Sequence, residues 1–209
     1  MADAPPLKHL TLLLLHQAAR RRVLLGLKKR GFGAGRWNGF GGKIEPGETV
    51  LAAALREMRE ESGLAVRDAR YAAHVVFAFE GQRERMSVHV LAASDAGGGA
   101  DEESPPESDE MRPRWFATDA VPYDEMWLDD RDWLPLLLAG KTFEAFFLFR
   151  GHESILERRV AEVPPERWRG AELAVHVPLG APPQASIAPS FGADAGAGAG
   201  AGRDGAEPS

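Results

Sequence analysis

The sequence contains no cysteine among its 209 residues. This absence excludes disulfides, thiolate zinc sites and a cysteine nucleophile, so any metal must be bound by oxygen or imidazole ligands. Basic residues are also outnumbered, with 25 Lys and Arg against 31 Asp and Glu, which gives a net charge of −6. Proteins that bind nucleic-acid polymers depend on a dominant basic surface, so this charge balance predicts no such partner.

Long hydrophobic runs are lacking as well. The longest apolar stretch near the N-terminus covers residues 10–15 and includes Thr11, whereas a membrane-spanning helix needs roughly 20 apolar residues. Three arginines follow at positions 20–22, where a signal peptide would continue towards its cleavage site. We therefore expect neither a signal peptide nor contact with a membrane.

Glycine, by contrast, is abundant, and many of the 23 glycines fall within residues 31–47 and 192–205. From Pro164 onward the sequence has little hydrophobic periodicity and almost no aromatic residues except Trp168 and Phe191. Such a segment buries too little apolar surface to offset its ordering entropy.

The distribution of residues therefore predicts one folded domain at residues 1–163 and a disordered Pro/Gly/Ala-rich tail at residues 164–209. The alternative for the tail is a docking motif around Trp168 or residues 173–177.

Hydrophobic spacing in the first three-quarters of the chain predicts many strands and few helices. A helix is expected over residues 49–62, capped by Thr49, with Leu51, Leu55 and Met58 facing the core. The other predicted elements are hairpins pairing residues 10–15 with 23–27 and 75–79 with 86–90, strands at 111–116 and 143–149, and a helix at 131–139. This order predicts an α+β fold in which helices pack on a sheet, without a regular βαβ repeat.

Three glutamates lie close together on the first predicted helix. Glu57, Glu60 and Glu61 are spaced i, i+3 and i+4, so they share one helical face and repel one another unless a cation neutralises them. Carboxylate oxygens without Cys or His favour Mg²⁺ or Mn²⁺ over zinc, and Mg²⁺ commonly shares its coordination with substrate phosphates. The pattern predicts a metal site for a diphosphate-containing substrate. The alternative is a solvated acidic face paired with Arg56 and Arg59.

The loop before this helix favours the metal site. Gly39, Gly41 and Gly42 allow the backbone to approach a ligand closely, and a Pro-Gly turn at residues 46–47 leads into the helix. Residues 42–64 match the Nudix box, G-x5-E-x7-R-E-U-x-E-E-x-G-U, at every fixed position. On these residues the chain is identified as resembling the Nudix hydrolases.

This resemblance implies an α/β/α sandwich around a mixed sheet, and cleavage of a nucleoside diphosphate linked to another group. It implies Mg²⁺, or alternatively Mn²⁺, bound by Glu57, Glu60 and Glu61 together with the backbone carbonyl of Gly41. Glu110 is expected either to bind the metal or to lie just outside its coordination sphere. Catalysis would then involve Glu57, Glu61 and Glu110, with Glu61 or Glu110 activating the water.

The segments flanking the box resemble one branch of the family, the animal MutT homologues. These are Nudix enzymes that hydrolyse oxidised purine nucleoside triphosphates, such as 8-oxo-dGTP and 2-oxo-dATP, to the monophosphate and pyrophosphate, and so sanitise the nucleotide pool. The likeness is carried by residues 23–43, 107–113, 126–130 and 133–138 and continues to about Val163. It implies a substrate site made of Thr11, Lys28, Phe32, Asn38, Phe77, Met86, Trp127, Asp129 and Asp130. Two departures are a longer, more basic turn at residues 17–22 and Leu128 in place of proline.

The residue types suit that implied base pocket. Trp127 offers a broad aromatic face for a purine, and Asn38 offers both a donor and an acceptor to a base edge. If Asp129 and Asp130 both face one apolar pocket, burial and mutual repulsion should keep one of them protonated and able to donate. The alternatives are that the aspartates cap the following helix and that Trp127 and Trp133 are simply core residues.

Two rival functions remain open at this point. The chain could be a Nudix hydrolase for another nucleoside diphosphate-linked substrate, such as a dinucleoside polyphosphate or a methylated purine triphosphate. It could instead be a catalytically silent nucleotide-binding adaptor, although an adaptor would be expected to have lost some of the box glutamates. The family resemblance also implies a monomer in the cytoplasm, with mitochondrial or nuclear fractions.

Overall fold

A mixed β-sheet organises the chain. The computed structural model describes residues 5–67, 69–97 and 105–174. The strands are β1 (Leu7–Gln17), β2 (Arg22–Lys28), β3 (Trp37–Asn38), β4 (Ala65–Val66), β5 (Arg70–Phe79), β6 (Arg85–Ala93), β7 (Ala96–Gly97), β8 (Met111–Ala117), β9 (Phe143–Arg150) and β10 (Ser154–Glu162). The helices are α1 (Val50–Ser62) and α2 (Asp130–Leu138). Neither these two nor the short 3-10 helices in the described ranges are long and apolar enough to cross a membrane.

The sheet runs in the order β10-β9-β5-β6-β1-β2-β3, with β8 paired to β2, while β4 and β7 form a separate two-stranded sheet. Both predicted hairpins are confirmed, since β1 pairs antiparallel with β2 and β5 pairs antiparallel with β6. Parallel pairing joins β1 to β6 and β5 to β9, which makes the sheet mixed. Strand β10 was not predicted, because it is an edge strand with most of its residues exposed and therefore shows no alternating apolar pattern.

Helices cover the sheet on both faces. Alternate residues of β1 point to opposite sides, with Leu13 and Leu15 in the core beneath α1 and Leu14 in the core beneath α2. Trp133 and Leu137 of α2 contribute to the second core. The expected α+β fold, an α/β/α sandwich, is confirmed.

Helix α1 begins and ends where the sequence indicates. The Thr49 side chain accepts a hydrogen bond from the Ala52 amide at 3.0 Å, and Gly63 ends the helix with φ of 73°. Its buried face is rotated relative to the prediction, because Met58 is fully buried while Leu51 and Leu55 are only partly buried. Small residues at 53 and 54 take the central position instead, and this rotation turns part of the acidic face towards the sheet.

The predicted domain boundary at residue 163 lies too early. Residues Pro165–Trp168 and Ala171–Leu173 form 3-10 turns, and Trp168 is 2% exposed in the core beneath α1. The carbonyl of Ala174 accepts a hydrogen bond from the first amide of α1, Val50, at 3.1 Å. Composition missed this segment because a single buried indole contributes as much apolar area as several small residues. The rest of the predicted tail, residues 175–209, lies outside the described residues.

The buried indole makes the packing of this segment testable. We expect Trp168→Ala to lower the free energy of unfolding by about 3 kcal/mol or more, because it leaves a cavity beside α1. Urea denaturation measures the change, and Arg169→Ala, at an exposed neighbouring position, serves as the matched control. Equal midpoints for the two variants would show that the segment does not pack on the domain.

Candidate active site

A cleft of about 820 Å³ opens between the α2 side of the sheet and the loop that follows β2. Strands β1, β5, β6 and β9 supply its apolar floor, and the segment just before and within α2 supplies one end. All nine residues predicted to contact substrate line this cleft: Thr11, Lys28, Phe32, Asn38, Phe77, Met86, Trp127, Asp129 and Asp130. The fold therefore gathers positions that are up to about 120 residues apart in sequence into one cavity.

The two adjacent aspartates lie at one end of the cleft and are almost completely buried. Asp129 and Asp130 are 3% and 2% exposed. Asp129 accepts a hydrogen bond from the Trp133 indole nitrogen at 2.8 Å, and Asp130 accepts one from the Trp127 amide at 2.9 Å. Although Asp129 precedes α2, its side chain makes no capping hydrogen bond. Asp129 thus occupies the N-cap position that the alternative interpretation expected, but its carboxylate bonds the Trp133 indole instead of capping the helix.

Burial determines the protonation of this pair. It raises the pKa of Asp129 to about 6, partly opposed by the hydrogen bond from Trp133. Burial and the neighbouring charge of Asp129 together raise the pKa of Asp130 well above its usual range. At neutral pH the pair therefore tends to retain a proton, so one carboxyl can donate a hydrogen bond while the other accepts.

Aromatic side chains form the mouth of the cleft. Phe32, which is 57% exposed, stacks on Trp127 with ring centroids 5.0 Å apart and an interplanar angle of 20°. Phe77 stacks on Phe147 at 5.7 Å along the floor. His152 also lines the cleft, and sequence reasoning missed it because it lies in the turn before the unpredicted strand β10.

The opposite end of the cleft is formed by the glycine-rich loop, which lies directly against β1. Thr11 donates its amide hydrogen to the Gly42 carbonyl at 2.9 Å, and the Thr11 hydroxyl is buried without a hydrogen-bond partner in the described ranges. A Cβ on Gly41 would lie 2.0 Å from the Thr11 carbonyl oxygen. The close approach inferred from the glycines is thus a requirement of the backbone contact with β1.

Glu61 lies where this loop meets α1. The residue is 3% exposed, and its carboxylate accepts hydrogen bonds from the Gly41 amide at 2.9 Å and the Lys28 ammonium at 3.0 Å. Burial raises the pKa of Glu61, and the charge of Lys28 opposes this effect. Burial lowers the pKa of Lys28, but the carboxylates of Glu61 and Glu110 outweigh it and raise that pKa on balance.

Glu110, the residue immediately before β8, faces the same lysine. It lies 3.4 Å from Lys28 and 2.8 Å from Arg30, and it lines the cleft. The hydrogen bond from Arg30 is the main cause that lowers the pKa of the Glu110 carboxyl, with Lys28 contributing further. Glu110 is therefore an ionised, partly exposed carboxylate, whereas Glu61 is a buried one.

The remaining box glutamates all pair with one arginine, whose single charge offsets only part of theirs. Arg56 contacts Glu57 at 2.7 Å, Glu60 at 3.2 Å and Glu48 at 2.8 Å. This is the intrahelical pairing that the alternative interpretation expected of Arg56. As the side chains lie, residues 5–67, 69–97 and 105–174 contain no group of three carboxylates or imidazoles close enough to hold one ion. The three glutamates predicted to bind the metal also differ in exposure: Glu61 is buried, Glu57 is partly buried and Glu60 is exposed.

The residues nevertheless fit a hard divalent cation. The available donors are carboxylate oxygens, which Mg²⁺ and Mn²⁺ prefer. Gly42 leaves room for one of them, because a Cβ there would lie 2.5 Å from a carboxylate oxygen of Glu57. Two glutamates of α1 therefore lie against adjacent residues of the glycine loop. Glu57 lies against Gly42, and Glu61 lies against Gly41. The role of the Gly41 carbonyl as a further ligand stays a prediction.

Fold, glycine loop and carboxylate helix together define a Nudix protein. The NUDIX domain family matches residues 8–137, so the chain belongs to the Nudix family, whose members generally need a divalent metal ion. The solved structure of a MutT protein from Bacillus halodurans has the same fold, with a TM-score of 0.63 and 24% identity over 73% of this chain and 97% of its own.

Two curated relatives narrow the comparison. The oxidized purine nucleoside triphosphate hydrolase of Danio rerio is 50% identical over 156 residues, which cover 75% of this chain and 96% of the zebrafish protein. The protein of the same name from Mus musculus is 49% identical over 143 residues, covering 68% of this chain and 88% of the mouse protein.

Replacing Asp129 tests the protonation of the buried pair. Asp129→Asn removes an ionisable group but retains an oxygen that can accept the Trp133 hydrogen bond. Because the pKa of Asp129 is raised to about 6 in the folded protein, wild type loses stability as the pH rises through that value. We expect the variant to be the more stable protein at about pH 7.5, with the advantage vanishing below about pH 4, where the aspartate is protonated in both folded and unfolded chains.

Urea denaturation across this pH range measures the difference in unfolding free energy. Asp119→Asn, at an exposed aspartate paired with Arg21, is the control and should show no comparable trend. A constant difference between Asp129→Asn and wild type at all pH values would contradict the assignment.

Proposed function

We propose that this chain hydrolyses oxidised purine nucleoside triphosphates, including 8-oxo-dGTP and 2-oxo-dATP, to the monophosphate and pyrophosphate. The observation that carries the proposal is the pair of buried aspartates at the end of an aromatic cleft whose other end reaches the Nudix helix. The names of the zebrafish and mouse relatives support the same substrate class. Such an activity would remove damaged nucleotides before they enter DNA.

The base end of the cleft suits an altered purine. Stacking against Trp127 holds any purine, so selection must come from the polar groups at the base edge. A carboxyl that is protonated can donate to a keto oxygen, and one that is ionised can accept from an amino group. By moving one proton, Asp129 and Asp130 can complement both a 2-amino-6-oxo purine and a 2-oxo-adenine. Asn38 also lines the cleft, and its side-chain amide, whose oxygen accepts a hydrogen bond from the Gly39 N–H at 2.8 Å, adds a further donor.

The phosphate end contains both cations and carboxylates, because Lys28 pairs with Glu61 and Glu110, and Arg30 pairs with Glu110. Lys28, Arg30 and Lys43 line the cleft beside the glycine loop and would bind the triphosphate. Water attacks the phosphorus at the α–β linkage, the bridging P–O bond breaks, and the monophosphate and pyrophosphate separate. A carboxylate accepts the proton of the water, and Glu61 and Glu110 are the two candidates.

We further propose that the divalent ion is Mg²⁺, with Mn²⁺ as a substitute, held by Glu57, Glu60 and Glu61 with Gly41 and Glu110 as additional ligands. When bound, the ion neutralises the negative charge that develops on the phosphate oxygens. The chain's own contribution is to fix the donors: the Gly41 amide and Lys28 orient Glu61, and the absence of a side chain at Gly42 leaves room for Glu57. We also infer that the enzyme acts as a cytoplasmic monomer.

Substrate selectivity tests this function most directly. Pyrophosphate release is measured with 8-oxo-dGTP, 2-oxo-dATP and dGTP, each with and without Mg²⁺. We expect kcat/KM for the oxidised substrates to exceed that for dGTP by about tenfold or more. The 2-amino-6-oxo edge is common to dGTP and 8-oxo-dGTP, so this selectivity must arise from groups around the altered purine edge. Equal efficiency on dGTP and 8-oxo-dGTP would leave a Nudix hydrolase of another specificity, and binding without hydrolysis would favour the adaptor.

The catalytic carboxylate is tested by Glu61→Gln. This substitution preserves the shape of the side chain and its contact with the Gly41 amide but removes the charge. We expect kcat to fall by about 100-fold or more at saturating Mg²⁺, while circular dichroism shows an intact fold. Glu162→Gln removes an exposed glutamate paired with Lys141 and should leave turnover unchanged. Near-normal turnover by Glu61→Gln would contradict the assignment.

A further inference from the structure

Arg36 connects three separate segments at the mouth of the cleft. Its guanidinium donates to the Met126 carbonyl at 3.0 Å and to the Glu153 carboxylate at 2.6 Å, and its central carbon lies 4.8 Å from the centroid of the Trp127 ring. Arg36 itself belongs to the loop between β2 and β3. One side chain thus joins that loop, the approach to α2 and the turn between β9 and β10.

An arginine is suited to this position. Its planar guanidinium carries several donors in a fixed arrangement, so it can bond two acceptors and still lie against an aromatic ring. The Arg36 side chain is 25% exposed, so its charge-assisted bonds are only partly screened by water. Because Met126 directly precedes Trp127, a bond to its carbonyl restrains the backbone that carries the indole.

The turn held by Arg36 also contacts the cleft directly. His152 packs edge-on against three aromatic rings: Trp127 at 5.5 Å, Phe32 at 5.4 Å and Phe79 at 5.9 Å between centroids. The neighbouring Glu153 is the residue that Arg36 binds. The turn at residues 151–153 therefore contributes to the aromatic mouth through His152.

We propose that Arg36 is a positioning residue that fixes Trp127 as the stacking surface for the base and holds residues 151–153 as a wall of the base site. This inference rests on the proposed function, because it assigns a role within that substrate site. Arg36 itself need not touch the substrate. It acts through the backbone of Met126 and through Glu153, which brings His152 against the indole.

A purely structural ion pair would behave differently. The Glu153 side chain is 77% exposed, and ion pairs exposed to this degree contribute little to folding. Breaking the pair should therefore change the stability of the protein little. If the pair instead orders the base site, its loss weakens nucleotide binding while the phosphate chemistry, which takes place at Glu61 and the glycine loop, continues.

The experiment compares Arg36→Gln, Glu153→Ala and the double variant with wild type. Steady-state kinetics on 8-oxo-dGTP give KM and kcat, and calorimetry gives the Kd of 8-oxo-dGMP, which carries the base but not the scissile linkage. We expect Arg36→Gln to raise KM and Kd about tenfold, as for the loss of a hydrogen bond to a charged group, with kcat within about twofold of wild type. Glu153→Ala should raise both constants by about threefold.

The double variant provides the coupling test. Since Arg36→Gln already releases residues 151–153, adding Glu153→Ala should bring no further loss, whereas independent effects would multiply. Arg158→Gln is the matched control, because Arg158 also bridges two elements, β10 and Asp132 of α2, but does not contact Trp127. It should leave KM, Kd and kcat unchanged.

The outcomes separate the two proposals. If wild type neither hydrolyses 8-oxo-dGTP nor binds 8-oxo-dGMP, the proposed function fails and the inference fails with it. If wild type is active and Arg36→Gln leaves KM and Kd unchanged, or lowers only kcat, the positioning role alone is overturned. Multiplicative losses in the double variant would likewise overturn the link through residues 151–153. If Arg36→Gln fails to fold, the single variants Glu153→Ala and His152→Ala test the positioning role instead. Each must weaken binding of 8-oxo-dGMP, and unchanged binding in either one overturns the role.

Discussion

The contact between the glycine loop and strand β1 is the constraint on which the rest of the site depends. On one side the loop lies so close to β1 that Gly41 leaves no space for a side chain beside the Thr11 carbonyl. On the other side the Gly41 amide donates a hydrogen bond to the buried carboxylate of Glu61. The loop therefore sets the distance between the sheet and α1. The same stretch of backbone includes Asn38, which lines the cleft. One continuous segment therefore contributes to both the phosphate end and the base end.

Two buried acidic groups on this framework are stabilised in different ways. Glu61 lies beside a lysine, and that ammonium partly offsets the cost of burying a carboxylate. Asp129 and Asp130 have hydrogen-bond donors but no adjacent ammonium among their bonded partners, so burial favours their protonated forms. One arrangement retains charge where a cation and phosphates would bind. The other retains a proton where a neutral base edge would be recognised.

The parts of the protein that could be read from sequence are those whose signal is local. Helix α1 follows from Thr49, Gly63 and the spacing between them, and the two hairpins follow from alternating strands joined by short turns. Strand β10 and the packing of Trp168 were missed because an exposed edge strand and one isolated indole leave no periodic pattern. The same gap concealed His152 and its link to Arg36, which exist only once the β9–β10 turn is placed. The sequence could predict the protonation of Asp129 and Asp130 only if both were buried, and their burial became known only from the structure.

The acidic composition and a polyanionic substrate are compatible because charge is unevenly distributed. The net charge of −6 describes the whole chain, whereas the cleft is lined by basic residues (Lys8, Lys28, Arg30 and Lys43) as well as acidic ones (Glu84, Glu110, Asp129 and Asp130). These basic side chains offset the acidic ones within the cleft, and a divalent ion held by the box glutamates would add the positive charge that a small phosphorylated ligand needs. A nucleic-acid polymer would instead depend on a dominant basic surface, which the net charge of the chain disfavours. The acidic composition that disfavours binding of a nucleic-acid polymer is therefore compatible with binding of a single nucleotide, because basic residues lie within the cleft.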